Sequence, residues 1–268
     1  MDRTVGAAVT AVAVVAAVAT AGVSMEIAPQ TVERFESQSV VVSEDGMPVT
    51  FSYRLLRPEV AAGTRRSVVL FLHGSGERGV DNVAQLSYLP AWLAEPEARA
   101  KHPCFVVAPQ CRAGRMWVDV SWSDKESSPQ RPALTTDLAA AVAALDAVLA
   151  DPAADPDRVI VTGISMGGYG TWDLAARMPE RFAAALPICG GGDERTAAAL
   201  KAVPIWCFHG AEDAAVPVER SRRMVAAVRQ AGGEPRYTEF PGVGHDAWTP
   251  AYRDPAVLDW LFSRHRGE

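Results

Sequence analysis

The sequence predicts one α/β domain with a mostly parallel central sheet and helices on both faces. Short β-branched or apolar runs alternate with helix-prone stretches, the order expected when a covering helix follows each parallel strand. Two of these runs, Ser67–His73 and Cys104–Pro109, stop at glycine or proline, as strands buried on both faces commonly do. The 268 residues, 49% of them hydrophobic, suffice for one substantial core and leave little room for a second large domain.

The N-terminal segment differs in composition from the rest of the chain. Arg3 precedes an uncharged Ala/Val run over residues 4–25, within which Ala19-Thr20-Ala21 resembles a small-residue cleavage site. The run is also long enough to span a bilayer, so an uncleaved anchor is the alternative. We therefore expect residues 1–21 to be a signal peptide or N-terminal anchor and residues 22–268 to be a single domain. That domain would be secreted or periplasmic, with membrane contact only if the leader is retained.

The charge excludes one class of partner. The net charge of -6, with no basic stripe carrying interleaved aromatic residues, argues against a nucleic-acid binder.

The four cysteines do not form a recognisable framework. They are Cys104, Cys111, Cys189 and Cys207. An exported domain could oxidise them, but Cys189 ends one predicted core strand and Cys207 lies inside another, which favours buried apolar side chains. Cys104 and Cys111 would be roughly 20 Å apart across an extended strand, too far to pair. There is no Cys-x-x-Cys motif, and we expect no metal site.

The strands follow in chain order. Ser39–Val42 and Val49–Leu56 alternate in polarity around the turn signal Glu44-Asp45-Gly46 and predict a hairpin at the entry to the sheet. Further strands are predicted over Ser67–His73, Cys104–Pro109, Arg158–Thr162, Ala184–Cys189, Ile205–His209 and Arg236–Phe240.

Helices separate the later strands. Thr135–Ala150 is alanine-rich, begins at Thr135-Thr136-Asp137 and is stopped by Asp151-Pro152. Other helices are predicted over Gly168–Arg177, Glu194–Lys201, Glu219–Gln230 and Pro255–Arg264. Because the carboxyl ends of parallel strands form the ligand crevice of such sheets, residues just beyond strand ends are candidates for a site.

One pentapeptide at a strand end contains a candidate nucleophile. Gly163-Ile164-Ser165-Met166-Gly167 lies between a predicted strand and a predicted helix. A serine hydroxyl is a poor nucleophile unless a tight turn presents it to a base that takes its proton. Glycines two residues before and after the serine let strand and helix approach closely. The pattern alone is weak, but its context predicts a nucleophile elbow with Ser165 as the nucleophile.

His245 is the predicted base. It follows the last strand on the glycine-rich loop Pro241-Gly242-Val243-Gly244, which can carry the imidazole over the sheet to Ser165. The other histidines are expected at the surface (His102 and His265) or as braces of His-Gly turns at strand ends (His73 and His209).

An acid must orient the imidazole and stabilise its charged form. Glu212 and Asp213 both follow a core strand, and we take Asp213, with capping of the helix entered near Pro217 as its alternative role. The chain order Ser165, Asp213, His245 is that of the α/β-hydrolases.

Two backbone amides are predicted to form an oxyanion hole. One is the N–H of Met166, directly after the nucleophile at a helix N-terminus. The other is the N–H of Ser75, in the loop His73-Gly74-Ser75-Gly76. Glu77 and Arg78, in the same loop, are expected to form a local ion pair rather than to contact substrate.

These motifs resemble a known family. The resemblance rests on Leu72-His73-Gly74-Ser75-Gly76-Glu77-Arg78-Gly79, Ala108-Pro109-Gln110-Cys111, Gly163 to Trp172 and Pro241 to Trp248. The chain resembles the secreted bacterial esterases grouped with predicted peptidases and with prolyl-oligopeptidase-like and dienelactone-hydrolase-like α/β-hydrolases, roughly from Val68 to Trp260. That implies an α/β-hydrolase fold and serine machinery, but not one substrate, because the group includes carboxylesterases, feruloyl and acetyl-xylan esterases and polyester depolymerases. Dienelactone hydrolases proper carry cysteine in place of Ser165, and prolyl oligopeptidases carry a propeller that is missing here.

Three tryptophans are candidates for substrate binding. Trp117 and Trp122 follow the strand Cys104–Pro109 and so fall on the crevice side, and Trp248 is placed to flank His245. Binding clefts are typically apolar with a few polar anchors, so an aromatic wall is expected. The alternative is that these are loop tryptophans packed on the domain.

Together these residues predict an exported serine hydrolase that cleaves carboxylic esters through an acyl-enzyme, with no cofactor. Its partner would be a small-molecule or polymer-linked ester, such as an aryl or polysaccharide ester. A small serine peptidase or an acyltransferase could use the same triad. A noncatalytic binding domain on this fold is the alternative of another class, and its hallmark, a missing triad member, is not found in the sequence.

Overall fold

The computed structural model describes residues 26–59, 61 and 63–267. The predicted signal or anchor segment, residues 1–21, lies outside the described residues. In the part of the chain that is described, no helix is long and apolar enough to cross a membrane.

A hairpin opens the sheet. β1 (Glu36–Glu44) and β2 (Met47–Leu56) pair antiparallel around Asp45 and Gly46, which have φ values of 52° and 83°. Two successive left-handed residues make the tight turn whose twist matches that of the flanking strands. The predicted hairpin is confirmed.

The rest of the sheet is parallel. It contains β3 (Arg66–Leu72), β4 (Phe105–Pro109), β5 (Ala154–Ile164), β6 (Ala184–Ile188), β7 (Trp206–Gly210) and β8 (Arg236–Phe240). Across the described residues the strand order is β1-β2-β4-β3-β5-β6-β7-β8, and β2 joins β4 antiparallel. The predicted mostly parallel sheet is confirmed, and the carboxyl ends of β3 to β8 lie along one edge.

The helices vary in length. They are α1 (Pro29–Val32), α2 (Leu89–Leu93), α3 (Pro96–Lys101), α4 (Thr136–Leu149), α5 (Met166–Arg177), α6 (Ala197–Leu200), α7 (Glu219–Gln230), α8 (Trp248–Arg253) and α9 (Pro255–Phe262). The Thr135 side chain caps α4 by accepting a hydrogen bond from the Leu138 N–H at 3.1 Å, as its position predicts. The stretch predicted as a helix over Glu194–Lys201 divides into a 3-10 turn, Glu194–Thr196, and α6.

Alternate residues of the central strands face opposite layers. In β3, Val68, Leu70 and Leu72 join the core that packs against α4, α5, α6 and α7. Val69 and Phe71 face the other core, which contains side chains of α2, α8 and α9. A strand buried on both faces must be apolar throughout, which is why β3 reads as an unbroken apolar run.

All four cysteines are free and buried. This confirms their interpretation as small apolar side chains. Burial raises the pKa of Cys104 and of Cys207 to about 12, so neither forms a reactive thiolate near neutral pH.

We expect the folded protein to be unreactive toward a chromogenic thiol reagent and to react at all four thiols once denatured without reductant. The buried thiols are inaccessible, and no sulfur is held in a disulfide. Spectrophotometric thiol counting before and after denaturation checks this. Fewer than four thiols in the denatured, unreduced protein would contradict it.

Candidate active site

Ser165 lies on a strained turn between β5 and α5. Its φ of 53° and ψ of -118° belong to a region that costs a non-glycine residue about 1–3 kcal/mol. A Cβ on Gly163 would lie 2.4 Å from the Gly167 oxygen, and a Cβ on Gly167 would lie 1.8 Å from the Leu72 oxygen. Only glycine fits at either flank, so these two residues allow the strand and the helix to close around Ser165.

A continuous chain of hydrogen bonds joins Ser165, His245 and Asp213. Ser165 Oγ is 2.8 Å from His245 Nε2, and His245 Nδ1 is 2.7 Å from Asp213 Oδ2. The His245 side chain is 29% exposed, whereas that of Asp213 is completely buried. The three residues follow β5, β8 and β7, so the structure brings together the side chains that the sequence singled out. This geometry lets Nε2 take a proton from Ser165 while Nδ1 donates to Asp213.

Asp213 is held as a carboxylate. Burial opposes its ionisation, but hydrogen bonds from His209 and His245 outweigh that cost and hold the pKa of this carboxyl well below its usual value. Its Oδ1 accepts the N–H groups of Ala215 and Val216 at 2.9 Å each. Asp213 therefore also stabilises the turn that follows β7, close to the alternative role expected for it.

Both predicted oxyanion donors belong to segments that contact Ser165. Met166 is the first residue of α5, and the first amides of a helix have no partner within it. Ser75 begins a 3-10 turn, Ser75–Glu77, directly after Gly74. A Cβ on Gly74 would lie 3.6 Å from Ser165 Cβ, which places this loop against Ser165.

The expected ion pair between Glu77 and Arg78 is wrong for the described residues. Arg78 donates to the carbonyl oxygens of Ser75, at 2.8 Å, and Arg115, at 3.2 Å. Glu77 is only 6% exposed, and burial raises its pKa although the N–H groups of Gly74 and of Glu77 itself favour the charged form. The two side chains therefore stabilise the loop around Ser75–Glu77 through contacts with backbone groups.

His73 braces the same loop, as predicted. Its Nε2 accepts the Cys111 N–H at 2.9 Å and its Nδ1 faces the Gly74 oxygen at 2.6 Å, so Nδ1 carries the hydrogen. Burial lowers the pKa of His73 to about 4, which keeps the ring neutral at physiological pH.

The surface position expected for His102 is wrong, since its side chain is only 9% exposed, whereas His265 is partly exposed. The His102 ring stacks on Phe262 with 4.6 Å between ring centroids. A polar sequence neighbourhood does not reveal this packing against α9.

The predicted substrate contact of Trp117 is wrong. Its side chain is completely buried, and its Nε1 donates to the His73 oxygen at 2.9 Å. The ring also packs edge-on against His73, with 5.1 Å between centroids. The loop after β4 turns this indole inward, where it packs against His73.

The other predicted tryptophans remain near the crevice. Trp248 begins α8, is 9% exposed and packs edge-on to His245 with 5.1 Å between ring centroids. Trp122 is partly buried, and its carbonyl accepts the Tyr169 hydroxyl at 3.1 Å. Sequence reasoning missed Tyr88, whose ring lies 5.6 Å from that of Trp248 and whose φ is 65°. No periodicity or motif singles it out.

Among the described residues, one group of potential metal ligands lies close together. The ligand atoms of Cys189, His209 and Asp213 are within 4.8 Å of one another. Cys189 Sγ donates to the His245 oxygen at 3.2 Å, and burial raises the pKa of that thiol well above its usual value. A metal would need the thiolate, so these residues do not fit a metal site as they stand.

The parallel sheet, the strained serine after β5 and the line from Ser165 to Asp213 define an α/β-hydrolase. The dienelactone hydrolase family matches residues 120–256, and the chain belongs to this family.

Known proteins similar to this chain include esterases. A crystal structure described as a thermostable esterase is 36% identical, with a TM-score of 0.79 over 88% of this chain and 64% of that one. Esterase PE8 is 25% identical, with a TM-score of 0.56 over 79% of this chain and 99% of that one. A probable carboxylesterase of Oryza sativa subsp. japonica is 28% identical over 201 residues, 69% of this chain and 73% of that protein. These similarities support a carboxylesterase-type hydrolase, although the chain spans only 64% of the length of the thermostable esterase.

Proposed function

We propose that this protein is a serine carboxylesterase that works through an acyl-enzyme. One observation carries the proposal: Ser165 Oγ, His245 and Asp213 are joined by hydrogen bonds of 2.8 and 2.7 Å at the carboxyl edge of the sheet. Membership of the dienelactone hydrolase family and similarity to esterases support the same chemistry.

In acylation, Ser165 Oγ attacks the ester carbonyl carbon while its proton passes to His245 Nε2. The carbonyl oxygen becomes negative and is held by the N–H groups of Met166 and Ser75. When the tetrahedral intermediate collapses, the bond to the alcohol oxygen breaks, and His245 gives its proton to that oxygen.

In deacylation, water replaces the alcohol. His245 Nε2 takes a proton from the water as its oxygen attacks the acyl carbon, and then returns it to Ser165 Oγ as the carboxylic acid leaves. Asp213 stays ionised throughout and accepts the Nδ1 hydrogen, which keeps Nε2 directed at Ser165. The cycle needs no cofactor.

The proposed substrate is a small-molecule or polymer-linked ester. Trp248 packs against the proposed base, so an apolar or aryl group bound beside His245 would meet its ring edge. Trp122 is proposed as a second, more peripheral contact, since it is partly buried after β4.

Purified protein should hydrolyse p-nitrophenyl esters and cleave matched p-nitroanilides far more slowly, because an amine is the poorer leaving group. The panel should vary the acyl group from acetyl through butyryl to benzoyl. Comparable anilide cleavage would replace the esterase with a peptidase. Preferential transfer of the acyl group to an added alcohol would indicate an acyltransferase. No turnover and no labelling by a fluorophosphonate would favour the noncatalytic binding domain.

A further inference from the structure

His209 is a buried polar residue that the proposed reaction does not use directly. It is the next-to-last residue of β7, and none of its surface is exposed. Its Nδ1 is 2.7 Å from Ser221 Oγ on α7, and its Nε2 is 3.0 Å from the Val216 oxygen. The same Nε2 is 3.2 Å from Asp213 Oδ2. If His209 only stabilised the turn after β7, its contacts with Ser221 and Val216 would suffice, and the contact with Asp213 would not be needed.

The contact with Asp213 completes the hydrogen bonding of that carboxylate. Oδ1 accepts the N–H groups of Ala215 and Val216, while Oδ2 is shared by His245 Nδ1, at 2.7 Å, and His209 Nε2, at 3.2 Å. A carboxylate offers about four lone-pair sites. With four donors in place, Asp213 has one orientation, and its Oδ2 faces two imidazoles.

The hydrogen on His209 Nε2 can be placed from its neighbours. The Val216 oxygen and the Asp213 carboxylate only accept, so Nε2 must donate. At the other nitrogen, Ser221 Oγ also lies 2.9 Å from the Gly190 oxygen and can give its one hydrogen either there or to Nδ1. If Ser221 donates to Gly190, Nδ1 must itself donate to Ser221 and the ring is cationic. If Ser221 donates to Nδ1, the ring is neutral. In both states Nε2 directs its N–H at Asp213.

We propose that His209 is a positioning residue for the site, which fixes Asp213 and competes with His245 for the same carboxylate oxygen. This inference rests on the proposed esterase function. By sharing Oδ2, His209 weakens the hold of Asp213 on the proton of His245.

Other titratable groups around the site do not change charge near neutral pH. Those facing Asp213 or His209 are Cys189, Tyr169 and Glu239, with Arg220 over the Tyr169 ring. Burial raises the pKa of Cys189 and raises that of Tyr169 to about 12. A hydrogen bond from Arg222 lowers the pKa of Glu239 to about 2. A shift of the activity profile between pH 5 and 9 would therefore report the histidines.

Two substitutions separate positioning from bracing. In His209→Gln the amide nitrogen takes the approximate place of Nε2 and can still donate to Asp213. In His209→Asn the shorter side chain reaches only the place of Nδ1 and keeps the contact with Ser221 alone. A third variant, Ser221→Ala, removes the bracing partner and leaves the contact between His209 and Asp213.

The measurement is kcat/KM for p-nitrophenyl acetate against pH, together with Tm. We expect His209→Asn to lower kcat/KM by about 10- to 100-fold, the size expected for losing a hydrogen bond to a charged group. Its acid limb should move to higher pH, because Asp213 then holds the His245 proton more tightly. His209→Gln should recover most of both effects. Ser221→Ala should lower Tm but, because His209 keeps its contact with Asp213, lower kcat/KM less than His209→Asn does.

An acid limb that stays in place in His209→Asn, or moves to lower pH, overturns the proposal. So does a His209→Gln variant as impaired as His209→Asn, because a plain bracing role would not distinguish the two. Failure of the proposed function itself would look different. The wild-type protein would then show no esterase activity and no fluorophosphonate label on Ser165, whatever occupies position 209.

Discussion

Ser165→Ala is expected to lower kcat for p-nitrophenyl acetate by about 10⁵- to 10⁶-fold, the loss typical of removing the nucleophile from a serine hydrolase. The variant keeps Cβ but has no Oγ to attack the ester, so no acyl-enzyme forms. Folding should be nearly unaffected, since alanine must adopt the same strained φ of 53° as serine. Steady-state kinetics check the loss of kcat, fluorophosphonate labelling checks the loss of the reactive hydroxyl, and Tm checks that folding is nearly unaffected.

A matched control is Ser39→Ala, which removes a serine hydroxyl from an exposed position on β1. It should retain the wild-type rate and label. Turnover by Ser165→Ala equal to that of the Ser39→Ala protein would remove Ser165 from the mechanism and, with it, the proposed acyl-enzyme.

The strained turn at Ser165 could be predicted from the sequence because its requirements are local. A serine at φ 53° between a strand and a helix needs glycines where Gly163 and Gly167 stand, and any Cβ there would overlap backbone. Asp213 and His245 could be predicted because each follows a strand of recognisable pattern. Parallel strands bring their carboxyl ends to one edge, so Asp213 and His245 meet Ser165 although they are far apart in sequence.

The direction in which a loop side chain points could not be predicted. Trp117 follows β4 in a loop and Trp248 begins α8, both at the carboxyl edge, yet Trp117 is completely buried against His73 and Trp248 lies against His245. The contacts that decide this, such as the Trp117 Nε1 bond to the His73 oxygen, join residues distant in sequence. Both residues are tryptophan, so residue type alone cannot distinguish a buried side chain from one beside His245.

The short helices and the strand order could not be predicted from the sequence either. The helices α2 and α8 have five and six residues, fewer than two turns, so no 3.6-residue period is visible in them. Both contain proline near the start, and both are stabilised by packing on the sheet. The strand order, with β4 between β2 and β3, depends on which edges meet in three dimensions. The pattern within a strand carries no information on its neighbour.

Asp213→Asn is expected to lower kcat by about 10⁴-fold with little change in KM, as in related triads that lose their carboxylate. In this site the reason is a conflict of donors. Oδ1 already accepts two backbone N–H groups, so the asparagine oxygen should occupy that position. Its NH₂ then faces the N–H groups of His245 and His209. His245 can relieve the conflict only by carrying its hydrogen on Nε2, where it can no longer take a proton from Ser165.

The same substitution should change the response of stability to acid. Because the pKa of Asp213 is lowered on folding, its carboxylate stabilises the fold above the unfolded value of about 3.9 and loses that contribution as the pH falls further. The difference in Tm between wild type and Asp213→Asn should therefore be largest above about pH 5 and narrow toward pH 2. A difference that is constant over this range would mean that the lowered pKa is not coupled to folding.

Glu212→Gln is the matched control, because it removes the same charge from the preceding residue. Glu212 is exposed and its backbone N–H bonds the Val243 oxygen, whereas the carboxylate that accepts the His245 Nδ1 hydrogen is that of Asp213. We expect wild-type kcat and an unchanged acid transition. If Glu212→Gln were instead the impaired variant and Asp213→Asn the active one, the acid of the site would be Glu212, and the loop after β7 would have to turn over in solution for its carboxylate to reach His245.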